Sequence, residues 1–343
     1  MGGVFLRQPR YAALFADAMH QLRPGADVAV CGAPASHGAA LLAEEAPPAP
    51  AQERTFHEPA LREAVTEHAN PRSAPLDQMA TRDLVELFVR EERSVESALA
   101  AAAEPLTEAI ELAVRALQRG GRLVYVGAGT SGRLGILDAS EMPPTFGTPP
   151  DWVQAVIAGG PEAIRRSIEG AEDDAAAGGR AVAELRAGPD DVVCGITASG
   201  RTPYVCGAIR AALERRAGTI LLTCNPARDR GLMAPSIAID LATGPELITG
   251  STRLKAGTAT KIALNILSSC TMIRLGRVTG NFMSHLRPTN QKLRDRAVRF
   301  VAQYLQMDEN HARERLACAN WNIPAAIKPP ASPGDRDSNC KNS

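Results

Sequence analysis

Gly127-Ala-Gly129-Thr130-Ser131-Gly132-Arg133 follows the β-rich run Leu123-Val-Tyr-Val126, and the fold is read outward from that junction. A strand that ends in glycines and hydroxyl residues and then enters a helix leaves backbone N–H groups free at the helix N-terminus. Those groups and the hydroxyls can surround an anion. After a second apolar run, Thr197-Ala-Ser199-Gly200-Arg201-Thr202-Pro203 repeats the chemistry. A sugar phosphate would fit such a cradle. Glycine and serine are also ordinary turn and N-cap residues, so either turn alone is explained as well by local structure as by a ligand.

Around these junctions short β-rich runs alternate with helical stretches. The candidate strands are 123–126, 153–157, 191–196, 219–223 and 236–240, with crossover helices over 171–185 and 203–215. This alternation predicts an α/β fold, a parallel five-stranded sheet flanked by helices in three layers. Upstream, Thr81 is the expected N-cap of an amphipathic helix reaching Arg93, and one helix is expected over 95–118, stopped by Gly120-Gly121. Downstream come a long helix over 251–275 and two short helical patterns near 291–305 and 309–319. At the N-terminal end, 9–22 reads as a helix, 27–31 as a strand and the proline-rich 44–52 as a linker. The segment 328–343 reads as a disordered tail.

The first turn also spells G-x-G-x-x-G, a dinucleotide fingerprint, but its second half fails. An acidic residue is expected about 20 residues on, near the end of the next strand; that strand ends in Ile157-Ala-Gly-Gly160 instead. A third segment, Gly250-Ser251-Thr252-Arg253-Leu-Lys255, places hydroxyls and two cations in the first turns of the long helix. Cations there oppose the helix dipole, which either a bound anion or solvated side chains would explain.

Glu141 stands just before Met142-Pro143-Pro144, where the helix is expected to end. A carboxylate at a helix C-terminus is disfavoured by the dipole, which would suit it to proton transfer; an exposed glutamate at a frayed end is the plainer reading. Glu172, in Glu169-Gly-Ala-Glu-Asp-Asp174, reads as an acidic first helical turn, a common feature with or without catalysis.

Of the 343 residues, 38 are Lys or Arg and 38 Asp or Glu, a formal charge of zero that gives no electrostatic case for nucleic acid or an anionic membrane. Aromatic residues make up only 4% and are scattered, which argues against stacking platforms for single strands. The six histidines show no H-x-x-x-H, so no metal is expected. Seven dispersed cysteines without a C-x-x-C pair read as reduced thiols in a cytoplasm. No run approaches the roughly 18 apolar residues of a membrane helix.

Taken in order, Thr66-Glu67-His-Ala-Asn70, Gly127 through Glu141 with Pro143-Pro-Thr-Phe, Ile157-Ala-Gly-Gly-Pro and Glu169 through Asp174 resemble the bacterial N-acetylmuramic acid 6-phosphate etherases. So do Ala198-Ser-Gly-Arg-Thr-Pro-Tyr-Val205, Cys224-Asn-Pro226 and Gly250 through Lys261. That resemblance implies the sugar isomerase (SIS) fold, no cofactor, and cleavage of a lactyl ether by elimination and rehydration. It places the catalytic pair on Glu141, as the acid that protonates lactate and then activates water, and on Glu172, as the base at carbon 2. Phosphate and sugar contacts fall on Thr130, Ser131, Ser199 and Thr202, with Ser251 and Lys255 beside them. A homodimer with its site near the subunit boundary is implied as well.

The resemblance divides the chain into 61–300, an SIS etherase domain; 301–327, a truncated helical domain; and 1–60, a linker preceded by a piece resembling the C-terminal end of actin-like-fold sugar kinases. No kinase activity is expected from that piece. Glucokinase regulatory proteins share the SIS architecture, so a non-catalytic sugar-phosphate-binding regulator of a sugar kinase is the alternative, and an aldose–ketose isomerase a third reading. Retention of both Glu141 and Glu172 favours the enzyme.

Overall fold

The computed structural model describes residues 64–73, 75–227, 234–286 and 288–328. The expected helix 9–22, strand 27–31, linker 44–52, kinase-like piece and nearly all of the tail lie outside the described residues.

Strands β1 (Leu123–Gly127), β2 (Val153–Ile157), β3 (Val192–Ile196), β4 (Gly218–Thr223) and β5 (Ile237–Asp240) match the expected runs to within a residue. They form one sheet of order β2-β1-β3-β4-β5, with every neighbouring pair parallel. β1 and β3 are buried along their whole length, the pattern of central parallel strands covered on both faces. Each fully buried Val, Leu or Ile contributes about 1.5–3 kcal/mol.

Leu123, Tyr125, Cys194, Ile196, Ile220 and Leu222 face one helical layer. It is built from α2 (Arg93–Ala101), α3 (Ala103–Gln118), α4 (Gly129–Phe146) and α7 (Lys255–Arg274). Val124, Val126, Val193 and Leu221 face α5 (Ala175–Glu184) and α6 (Pro203–Glu214) on the other side. A Cβ built on Gly178 would lie 1.8 Å from Tyr204 O, and one on Gly207 would lie 1.9 Å from Ala175 O. Only glycine lets α5 and α6 approach this closely.

Several helices depart from the expected bounds. Ala80, not Thr81, is the N-cap of α1 (Thr81–Glu91), and the helix expected over 95–118 is two, parted at Ala102. Pro105 explains the break: it cannot donate to Ala101 O and would clash there in a continuous helix, but it fits the first turn of a new one. Conversely, α4 does not stop before Pro143-Pro144 but runs to Phe146 and ends on left-handed Gly147, whose N–H bonds Pro143 O at 3.0 Å. The long helix begins at Lys255 rather than 251, for a reason that belongs to the site.

Downstream, α8 (Gln291–Leu305), α9 (Glu309–Cys318) and α10 (Ile323–Ile327) enclose a separate small core of Phe300, Val301, Leu316 and Ile323. The boundary expected at residue 300 falls inside α8. Cys194, Cys206 and Cys224 are buried free thiols, and burial pushes them up to about 12, 11 and 12. Cys318, however, is disulfide-bonded, so the all-thiol expectation fails there.

Just ahead of β3, Asp191 accepts from Arg122 Nε at 3.0 Å and Nη2 at 2.8 Å, and from Gly188 N at 2.9 Å. Burial would raise this carboxyl, but the hydrogen bonds and charge of Arg122 outweigh it and hold it below its ordinary value. Its stabilisation is present above the unfolded carboxyl pKa of about 3.9 and is lost as pH falls through the folded value. Urea midpoints measured against pH should therefore fall on acidification, and Asp191→Asn should flatten that part of the profile.

Candidate active site at the sheet switch point

In this strand order the chain leaves β1 for β2 and then crosses back to β3, so the winding reverses between β1 and β3. Open α/β sheets bind ligands beyond the C-terminal ends of the strands at such a point. Gly127 is paired with Ile196 across it, which sets the two hydroxyl-bearing turns side by side. In the first turn, a Cβ on Gly132 would lie 2.8 Å from Gly127 O and 2.5 Å from Ile157 Cγ1. Glycine is thus required for α4 to start hard against the strand ends, and Thr130 and Ser131, both half-buried, lie in its first turn.

Within the second turn, Thr197 Oγ1 is 2.7 Å from Thr202 Oγ1 and 3.4 Å from Ser199 Oγ, which also accepts from Arg201 N at 3.3 Å. Asn225, which the sequence reading placed only within a matching motif, holds this turn: buried after β4, it donates from Nδ2 to Ser199 O at 2.9 Å. Its signal was its place in Cys224-Asn-Pro226, directly past a strand end on the same rim.

The third segment joins the first: a Cβ on Gly257 of α7 would lie 3.5 Å from Thr130 Cγ2. Ser251 is half-buried in the turn ahead of α7, its N–H bonded to Ile248 O at 2.9 Å. Lys255, expected beside the phosphate, is instead 2% exposed and gives its ammonium to Glu91 at 2.9 Å. Glu91 also accepts from Asn70 Nδ2 at 2.8 Å and Arg72 Nε at 2.8 Å. These partners overcome the upward push of burial and hold its carboxyl below the ordinary range.

The anion at the α7 N-terminus is also internal. Glu246 accepts from Lys255 N at 3.2 Å and Ala256 N at 2.9 Å, which is why the helix begins there, while burial raises its carboxyl. The Lys255 ammonium and the first N–H groups of α7 therefore have partners inside the protein, Glu91 and Glu246.

Glu172 is exposed in a single 3-10 turn (Ala171–Asp173) between β2 and α5, on the rim that carries the two cradles. Arg133 lies in the first cradle by sequence but turns away from it. Its Nε donates to Ala163 O at 3.1 Å and Ile164 O at 3.0 Å, and its Nη2 to Arg166 O at 3.3 Å. It ties α4 to the loop that delivers Glu172. Arg133→Gln should therefore lower turnover about tenfold by loosening that loop, with unfolding free energy reduced by only about 1–2 kcal/mol; paired rate and urea measurements check this.

Glu141 is exposed on α4, one turn beyond buried Asp138. Because α4 continues past Pro143 and Pro144, the argument from a helix C-terminus no longer applies to it. Asp138 accepts from Tyr125 Oη at 2.9 Å, Asn265 Nδ2 at 2.9 Å and Ser268 Oγ at 3.0 Å, and so fixes α4 to both β1 and α7. Burial raises its carboxyl despite these bonds. Among the described residues no cluster of three or more His, Cys, Asp or Glu is arranged for a metal, and no helix is long and apolar enough to cross a membrane.

The family model for the glucokinase regulatory protein N-terminal SIS domain matches residues 105–213. Among curated proteins, the N-acetylmuramic acid 6-phosphate etherase of Picosynechococcus sp. is 52% identical over 263 residues, covering 77% of this chain and 87% of that one. The etherase of Nostoc punctiforme is 54% identical over 237 residues, covering 69% of this chain and 77% of its own length. A solved phosphoheptose isomerase, GmhA from Neisseria gonorrhoeae, matches 55% of this chain and 98% of its own at 19% identity, with a TM-score of 0.41. About half of all aligned positions are thus shared with etherases over a span that takes in both cradles, Glu141 and Glu172, and on that footing the chain belongs to the N-acetylmuramic acid 6-phosphate etherase family.

Proposed function

We propose that the protein cleaves the lactyl ether of N-acetylmuramic acid 6-phosphate to N-acetylglucosamine 6-phosphate and D-lactate, in the cytoplasmic recycling of cell-wall amino sugars. The observation that carries this is the 52% identity to an etherase over 77% of the chain. Two hydroxyl-bearing turns side by side at the switch point support it.

In this reading Thr130, Ser131, Ser199 and Thr202 hold the phosphate through hydroxyls and backbone N–H groups, with Ser251 beside them. The ring opens, and the aldehyde acidifies carbon 2. Glu172 takes that proton, the electron pair of the C–H bond forms the C2–C3 double bond, the C3–O bond breaks, and Glu141 protonates the departing lactate oxygen. Water then adds at carbon 3 as Glu141 takes its proton, and Glu172 returns a proton to carbon 2. An acid and a base that exchange roles between the half-reactions account for two carboxylates and require no metal. The active form in this reading is a homodimer; Val85 and Val89, exposed one turn apart on α1, offer apolar surface for such an association.

Incubating the purified protein with N-acetylmuramic acid 6-phosphate and assaying lactate tests the reading: release is expected, and binding without release would return the chain to the regulator class.

A further inference from the structure

The Glu141 carboxylate is held only by the helix that carries it. It is exposed, and among the described residues no hydrogen bond or ion pair reaches it. Its direction therefore depends on how this part of α4 sits on the sheet. The helix is weak there, because Pro143 and Pro144 have no N–H to give to the carbonyls of Ala139 and Ser140, the two residues just before Glu141. The first turn of α4 is secured separately, by Gly132 against Gly127 O and Ile157 and by Arg133 on the loop 163–166. Between that turn and Met142 the buried positions are Gly135, Asp138 and Ala139. Glycine and alanine give little to interlock, and methionine adapts to whatever space it is offered.

Asp138 supplies the missing constraint. It is 4% exposed and its two oxygens are bound on different sides: Oδ2 accepts from Tyr125 Oη on β1 at 2.9 Å, while Oδ1 accepts from Asn265 Nδ2 at 2.9 Å and Ser268 Oγ at 3.0 Å on α7. Bonds to the sheet and to a neighbouring helix at once fix the rotation of α4 about its own axis. Glu141 lies three residues on, about 60° round the helix from Asp138, so that rotation also sets where its side chain points. At a side-chain radius of about 5–6 Å, a roll of about 10° moves the carboxylate by about 1 Å. A misplacement of that size costs on the order of 10²-fold in rate. An apolar side chain would fill the same space without this directionality.

We infer that Asp138 is a positioning residue for the acid: its hydrogen bonds to Tyr125, Asn265 and Ser268 aim Glu141 at the C3–O bond, and it touches no substrate itself. The inference rests on the etherase reading and adds to it a buried residue that acts through another. Glu172 stands on a separate turn between β2 and α5, and so does not depend on this anchor.

That independence supplies the test. Lactate release and deuterium incorporation at carbon 2 are measured in parallel for wild type and Asp138→Asn. Release should fall about 10-fold to 100-fold, with KM and carbon 2 exchange within about twofold of wild type, because only the step that uses Glu141 is disturbed. A merely structural role would lower both activities by the same factor, through the folded fraction, and that result would overturn the inference. Adding Asn265→Asp exchanges donor and acceptor: the new amide donates toward α7 and accepts from Tyr125, and the new carboxylate lies four residues after Lys261. This double variant should bring release back to within about threefold of wild type. Recovery of its urea midpoint without recovery of release would also count against the role. Tyr125→Phe removes one donor of the three and keeps the test decisive should Asp138→Asn fail to fold by circular dichroism. It should show the same split at about threefold to tenfold, and unchanged release would overturn the inference. If the wild-type protein itself releases no lactate, the etherase reading falls, and this role with it.

Discussion

Glu172→Gln should lower lactate release by about 10²–10⁴-fold and, in heavy water, abolish incorporation of deuterium at carbon 2. Glu141→Gln should lower lactate release by a comparable factor yet leave carbon 2 exchange in place, because the base remains while departure of the alkoxide loses its proton donor. The split follows from the division of labour: one carboxylate meets the C–H bond, the other the C–O bond. Both residues are exposed and make no hydrogen bond on which the fold depends, so unfolding free energies should move by less than about 0.5 kcal/mol. Equal exchange in the wild type and in Glu172→Gln, measured by mass spectrometry of recovered substrate, would take Glu172 out of the mechanism.

The largest effect on stability is expected at Glu91. Its carboxylate and the Lys255 ammonium are 4% and 2% exposed, and Asn70 and Arg72 complete the cluster. Removing one partner of a buried pair leaves the other charge desolvated without compensation, a cost of about 3–5 kcal/mol. Glu91→Gln should therefore lower the unfolding free energy by that amount in urea titrations, whereas Glu91→Leu combined with Lys255→Met should recover most of it, since neither charge then remains. A loss below about 1 kcal/mol for the single variant would mean that solvent reaches Lys255. The cluster joins residues 70, 91 and 255 around the start of α7, so Glu91→Gln should also loosen the turn ahead of α7 that carries Ser251.

The sheet was legible because its strands are short, β-rich and bounded by turn residues, and because central parallel strands read as unbroken apolar runs. The cradles were legible because their chemistry is local, contained within seven consecutive residues each. What escaped the sequence reading depends on partners far along the chain. The partner of Lys255 gave no local signal because Glu91 is 164 residues away, and the α7 N-terminus is capped by Glu246 from the preceding loop. Arg133 looked like part of the cradle because neighbours in sequence do not reveal which way a side chain turns. The two proline errors ran in opposite directions: Pro105 opens a helix that periodicity had joined to its predecessor, and Pro143-Pro144 sit inside one that convention would end.

The position of β1 governs how the molecule must assemble. As the second strand in spatial order but the first in sequence, it pairs with β2 at Leu123↔Val153 and with β3 at Leu123↔Val192, partners 30 and 69 residues away. Loop-closure entropy opposes both pairings, and neither is rewarded until the intervening helices have packed. During synthesis and refolding β1 therefore waits as an apolar strand with both edges open, so the element that positions the Thr130 cradle is also the chain's main exposure to aggregation before the sheet closes around it.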